Sequence, residues 1–300
     1  MVERKKLNVD ISRAISDFEA AVKEFELKEK IYRILYRGKG LEFEGYRDYT
    51  PDEDAENIDW KASARANKPL VKSYKEERDL DIIFVVDVSD NMLLGSTQKL
   101  KCEYATEMIA ALSYLIVTSN DKVGYILFSD NIKEYVPASR GLNQLYVFAD
   151  KLADPETYGG SSDMNKAFKF ALNFLPNSTS AVIFVSDFVR MNESIKKDLY
   201  LLASKFEITA IMVRDFLDRT LPEIDREVVI EDPVTKKQII FNPKAAKNIY
   251  EKYIIQKDRI IKDIFKKSNV DLLELYTDEY FVFPLATFLK GRVEKKRLVV

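Results

Sequence analysis

The chain has 300 residues, 46% of them hydrophobic, which is enough for one large core with a smaller appendage. Lys and Arg number 47 against 49 Asp and Glu, so no global basic field exists to attract nucleic acid or an anionic lipid surface. Histidine is absent, which removes the usual neutral-pH acid–base and the usual zinc or copper ligand, and leaves carboxylates, hydroxyls and lysines for any chemistry.

In chain order, residues 10–27 place Ile11, Ile15, Phe18, Val22 and Phe25 at spacings of four and three with charges between them, an amphipathic helix. Packing on its own chain is the expected use of that face, and docking on another protein is the alternative. Aromatic, strand-like pieces interrupted by Gly38, Gly40, Gly45 and Pro51 follow, which predicts an arm of short strands and turns. Residues 1–78 are thus expected to form a helix and arm packed on a body at 79–300.

From Leu80 the rhythm changes to alternating strands and helices, the pattern of an open, mostly parallel α/β sheet with helices on both faces. Strands are predicted at 81–86, 122–128, 132–136, 181–186, 208–213 and 270–276, and helices at 98–118, 142–152, 165–175, 193–205, 244–267 and 280–289. The short gap between "KVGYILF" and "IKEYV" predicts a hairpin, hence one antiparallel edge strand. "VVIEDPVTKKQIIF" reads as an inserted hairpin near 227–242, turned at Pro233. The single cysteine, Cys102, has no intrachain partner, which fits a reducing compartment. No signal-peptide layout is visible, and the apolar stretch Met108–Val117 is shorter than the ~18 residues of a membrane span, so a cytoplasmic protein is expected.

Three segments carry oxygen ligands at predicted strand ends. "DIIFVVDVSDN" runs a strand buried on both faces into Asp87, Ser89 and Asn91. "YGGSSDMNKA" delivers Ser161, Ser162 and Asp163 from a glycine-rich loop to a helix start, and "VIFVSDF" ends a second buried strand in Asp187. Where adjacent strands send their connections to opposite faces, such ends converge in one crevice. Hydroxyls with carboxylates form a hard-oxygen set suited to magnesium, manganese or calcium, and two neighbouring anions call for a cation. The plain alternative is helix capping by Ser162 and Asp163 and a turn closed by Asp187.

At these residues the chain resembles a von Willebrand factor A-type domain, whose metal-ion-dependent adhesion site follows D-x-S-x-S, then a loop threonine, then an aspartate. Asp87 and Ser89 fit the first element, Asn91 stands at the second serine, Ser162 replaces the threonine and Asp187 supplies the last acid. The resemblance implies a divalent cation, magnesium first and manganese or calcium as alternatives, with an open position for a partner's Asp or Glu.

A second, more specific resemblance lies in "GKGLEFEGYRDYTPDEDAENIDWKASAR". It is similar to the signature of domain-of-unknown-function family fifty-eight, matching at Arg47, Tyr49, Asp54, Asp59, Trp60 and Arg65 among others, with Asp52, Glu53 and Glu56 as departures. This implies a metal-dependent, non-enzymatic adaptor of the kind encoded with MoxR-type AAA ATPases. The residues themselves also allow a plainer account, in which Trp60, Phe43, Tyr46 and Tyr49 form a small satellite core ringed by ion pairs of Arg47, Arg65 and Asp59.

Two other functions compete. One is a metal-dependent phosphohydrolase with Asp87 as nucleophile. The other is a scaffold whose metal site has decayed through Asn91, with the N-terminal helix as its partner surface. No G-x-x-x-x-G-K-[ST] occurs, so nothing supports nucleotide hydrolysis.

Overall fold

The computed structural model describes residues 6–24, 41–50, 58–76, 80–231 and 237–297. The expectations at Phe25, Gly38, Gly40, Pro51, Asp52, Glu53, Asp54, Glu56 and Pro233 lie outside the described residues, as does the side chain of Phe43.

A six-stranded sheet organises the chain. Its strands are β3 (Asp81–Asp87), β4 (Lys122–Phe128), β5 (Ile132–Ser139), β6 (Thr179–Ser186), β7 (Glu207–Arg214) and β10 (Asp271–Tyr276), in the spatial order β10-β7-β6-β3-β4-β5. Every pairing is parallel except β4 with β5, the antiparallel edge expected from the short gap. β5 runs to Ser139, three residues past the expected end at Val136, and so takes in Pro137. Proline is tolerated on an edge strand near a bulge, and the register of β5 against β4 does shift just there.

Helices cover both faces, which is why β3 reads as an unbroken apolar run. On one face Ile82, Phe84 and Val86 meet α1 (Ile11–Glu24), α3 (Lys101–Thr118), α4 (Leu142–Leu152) and α8 (Val282–Arg297). On the other, Ile83 and Val85 meet α5 (Met164–Phe174), α6 (Lys196–Lys205) and α7 (Pro243–Lys267). The sheet thus supports a layered α/β fold with helices on both sides.

α3 is buried almost all round, because the sheet lies against one side and α1 and α4 against the other. The first of these neighbours decides how the N-terminal helix is used. Ala14, Phe18, Ala21 and Val22 are buried against the core, and Phe18 is 1% exposed. The chain entering α1 is also tied down, since Asn8 N–H donates to Glu103 Oε1 at 2.7 Å and Asp10 N–H to Glu107 Oε1 at 2.6 Å. The apolar face of α1 is therefore consumed inside the chain and is not the partner surface of the scaffold alternative. Val22→Ala is expected to cost about 1–2 kcal/mol, at ~0.8 kcal/mol per buried methylene. A melting temperature unchanged within error would show that α1 does not contribute to the core.

The arm forms a two-stranded antiparallel sheet of β1 (Leu41–Asp48) and β2 (Leu70–Glu76), with α2 (Trp60–Ala66) between them in sequence. Asp59 caps α2 by accepting the N–H groups of Lys61 and Ala62, both at 3.1 Å. The satellite core built on Trp60 is not what forms. Trp60 is 68% exposed, because it occupies the first position of a short helix whose inward residues are Ala62 and Ser63. Asp59 accepts from Tyr46 Oη at 3.2 Å and pairs with Lys72 at 3.5 Å, whereas Arg65 makes no ion pair among the described residues.

β8 (Val228–Glu231) and β9 (Gln238–Phe241) form the inserted antiparallel hairpin, and its Val229, Ile230, Ile239 and Ile240 are all exposed. Among the described residues no helix is long and apolar enough to cross a membrane.

Candidate functional site at the carboxyl edge of the sheet

β3 and β6 are neighbours, yet the helix after β3 lies on one face and the helix after β6 on the other. A crevice opens at such a switch, and the carboxyl ends of these two strands are Asp87 and Asp187. The three sequence segments do meet there. Asp87 is fully buried: its Oδ2 accepts hydrogen bonds from Ser162 Oγ and Ser186 Oγ, both at 2.7 Å, and its Oδ1 accepts from Ser89 N–H at 3.0 Å.

Ser162 reaches Asp87 because the glycine loop is held in place. Gly160 exchanges two bonds with Asp90, its N–H donating to Oδ2 at 3.1 Å and its carbonyl accepting from Asp90 N–H at 2.9 Å. Gly160 has φ +84°, and a Cβ there would lie 2.9 Å from Asp130 Oδ1, so both conformation and space call for glycine. Asp90 is thereby turned to the loop and away from Asp87. Asp163 caps α5, accepting Lys166 N–H at 3.2 Å, which is its plain structural role. Asn91 sits partly exposed on the tight turn Asp90–Leu93, and its side chain makes no hydrogen bond among the described residues.

Asp187 belongs to a different arrangement. Its Oδ2 lies 2.8 Å from the Nζ of Lys101, the first residue of α3, and both side chains are 1% exposed. The same ammonium pairs with Asp218 at 3.0 Å, and Asp187 Oδ1 accepts Val189 N–H at 3.0 Å. Sequence reasoning placed a cation beside these acids but did not find Lys101, Ser186 or Asp218. A lysine at the start of a helix rich in apolar residues was visible, but nothing near it in the chain points to its partners.

The electrostatics of the two acids diverge accordingly. Burial pushes the Asp87 carboxyl up and the adjacent Asp187 charge adds to this, while the hydroxyls of Ser186, Ser162 and Ser89 pull it down by less. Burial also pushes Asp187 up, but the Lys101 ammonium and the Val189 N–H outweigh it and hold that carboxyl below its ordinary range. Lys101 is shifted up in turn, because Asp187 and Asp218 together outweigh its own burial.

The fit to a divalent cation is therefore divided. Ser89 Oγ is buried with no hydrogen-bond partner of normal geometry, next to a carboxyl that forms no ion pair among the described residues. An orphaned hydroxyl of this kind, with Asp87 and Ser162, suits a hard cation. The Asp187 half is already neutralised by Lys101, and among the described residues no group of three or more His, Cys, Asp or Glu forms a metal cluster. Beside Ser162 lies a cleft of about 530 Å³, lined among others by Asn165, Arg190, Asn192 and Lys257.

The sequence profile described as "Protein of unknown function DUF58" matches residues 45–259, which takes in the arm from Gly45, Asp59 and Arg65, and every residue of the crevice. The chain belongs to the DUF58 family. This DUF58 chain is 24% identical over 286 residues to the uncharacterized protein Rv1480 of Mycobacterium tuberculosis, covering 91% of this chain and 89% of that protein. The uncharacterized protein Mb1516 of Mycobacterium bovis matches to the same extent. Among solved structures it is similar to the conserved hypothetical protein BatB from Bacteroides thetaiotaomicron, with TM-score 0.47, 16% identity and coverage of 72% of this chain and 99% of that one. It is also similar to the SpRpn10 VWA domain, with TM-score 0.38, 9% identity and coverage of 68% and 92%.

Proposed function

We propose that this DUF58 protein is a non-catalytic interaction module whose sheet-edge crevice receives an acidic side chain of a protein partner, with a divalent cation, magnesium first, between the two. The observation that carries this reading is the buried Ser89 hydroxyl, without a hydrogen bond of normal geometry, beside a buried Asp87 that forms no ion pair among the described residues. Asp87, Ser89 and Ser162 would hold the cation, with the Asn91 amide on the same turn. When bound, a cation supplies a Lewis-acid position that a partner carboxylate completes. Asp187 lies outside this set, because Lys101 keeps it charged and neutralised.

A MoxR-type AAA ATPase is the first partner to test, as family membership suggests. Titration of that ATPase against the protein in magnesium, in chelator and with Asp87→Asn is expected to show the tightest binding in the first, with Kd at least about tenfold weaker in the others. Equal affinity in all three refutes a cation-bridged contact.

The phosphohydrolase reading finds less support. Asp87 is fully buried and accepts hydrogen bonds at both carboxylate oxygens, which suits a ligand better than an attacking nucleophile. The lysine in contact with the crevice acids, Lys101, is enclosed and committed to two carboxylates.

A further inference from the structure

The cleft beside Ser162 is not explained by the residues that build the crevice. Two stretches form its walls, Ser162 to Asn165 at the start of α5 and Val189 to Asn192 after Asp187, and Lys257 of α7 completes it. Its charge is one-sided. Arg190 and Lys257 both line it, and neither makes an ion pair among the described residues. The first turn of α5 adds the positive end of an eleven-residue helix. Asp163 is the one acid in the lining, and its carboxylate is turned back onto Lys166 N–H as the helix cap. Asn165 and Asn192 supply amides, and apart from Met164, Val189, Met191 and Ile195 the walls are polar.

Cations without an acidic partner among the described residues, Lys257 touching only the Tyr253 ring at 5.6 Å, share the cleft with amides and a helix start and so favour an anion, and a volume of about 530 Å³ admits several residues of an extended chain. From this geometry we infer that the cleft binds an acidic peptide segment of the partner. One Asp or Glu enters the crevice at Ser162, and a second acid a few residues away lies between Arg190 and Lys257. The inference rests on reading the crevice as an interaction site and adds the identity of what enters it. Specificity then comes from two separated acids: the crevice supplies the anchor, and the cleft sets spacing and on-rate. A partner with a single surface carboxylate binds weakly.

The test is selection of phage-displayed random dodecapeptides on the wild-type protein in magnesium. Selected peptides are then measured on Arg190→Glu with Lys257→Glu, and separately on Asp87→Asn. Both cationic positions lie at the surface of the cleft, so circular dichroism and the melting temperature of the double variant should match wild type. The expected result is enrichment of peptides with two Asp or Glu at a recurring spacing, with affinity falling about tenfold or more in both variants. Loss in the Arg190 and Lys257 variant alone upholds the acidic cleft and overturns the role of the crevice. Loss in Asp87→Asn alone, or selected peptides without Asp or Glu, overturns the cleft.

Discussion

Lys101→Met is expected to lower the unfolding free energy by about 3–5 kcal/mol, the cost of stranding a buried charge when its partner is removed. Asp187 and Asp218 lie 2.8 and 3.0 Å from the same ammonium, and among the described residues Asp187 pairs with no other cation. Methionine keeps the length and apolar stem of lysine, so packing at the start of α3 changes little and the loss reports charge. For a chain of this size it corresponds to a fall in melting temperature of roughly 6–10 °C. The pH dependence gives a second, signed readout. In wild type Asp187 has a folded pKa below its unfolded one, so its contribution is present above the unfolded value and is lost as pH falls through the folded value. Without Lys101, burial is opposed only by the Val189 N–H and the more distant Arg214, so the carboxyl rises from its wild-type position and the variant loses less stability than wild type as acid protonates Asp187. The gap between the two proteins should therefore narrow on acidification. A gap that is absent at pH 7, or that widens at low pH, refutes an internal counter-ion. Adding Asp187→Asn to Lys101→Met should recover much of the loss, because the amide can still accept the Val189 N–H without carrying charge.

The contrast between Lys101 and Asp87 also marks where sequence reasoning stops. Continuous apolar runs ending in acid located β3 and β6, and the expectation that their ends converge held, because it rests on chain topology alone. α4 begins and ends where its periodicity placed it, and α5 is displaced by one residue. Lys101 was illegible for a physical reason. A charge at a helix start is ordinary, and only the fold brings it against Asp187, 86 residues away, and Asp218, 117 residues away. Ser186 was hidden differently, as the last residue of an apolar strand. It meets Asp87 because β6 lies beside β3 in parallel, with Val185 opposite Val86. Trp60 misled because a lone tryptophan reads as core, whereas its place on α2 faces solvent. The expectation was a divalent cation at both strand-end acids; at Asp187 the neighbouring positive charge is instead Lys101 of the chain itself. At Asp87 a divalent cation stands as the proposal.

Asp87→Asn tests that proposal with two effects of opposite sign. Asp87 has a folded pKa raised first by burial and then by Asp187, so its contribution to stability is complete only below the unfolded pKa and is lost as pH rises through the folded value. At pH 8 in chelator a carboxyl whose pKa is raised by folding is a liability. Replacing it by an amide, which still accepts hydrogen bonds at one atom, should stabilise the protein by about 1–3 kcal/mol, the range for an uncompensated buried polar group. In magnesium the order reverses. A cation at a hundred times its Kd adds about 2.7 kcal/mol to wild type, or roughly 5 °C, and nothing to the variant. Ser89→Ala removes the orphaned hydroxyl at little cost in chelator, yet it should abolish most of the magnesium response if that hydroxyl is a ligand. Calorimetric melts of the three proteins across both conditions therefore separate the possibilities. Curves for wild type and Asp87→Asn that exchange order between chelator and magnesium establish a cation at Asp87. A wild type that melts identically in both, and above Asp87→Asn in both, makes Asp87 a structural acceptor for Ser162 and Ser186, and the partner's carboxylate must then be held by Arg190 and Lys257 without metal.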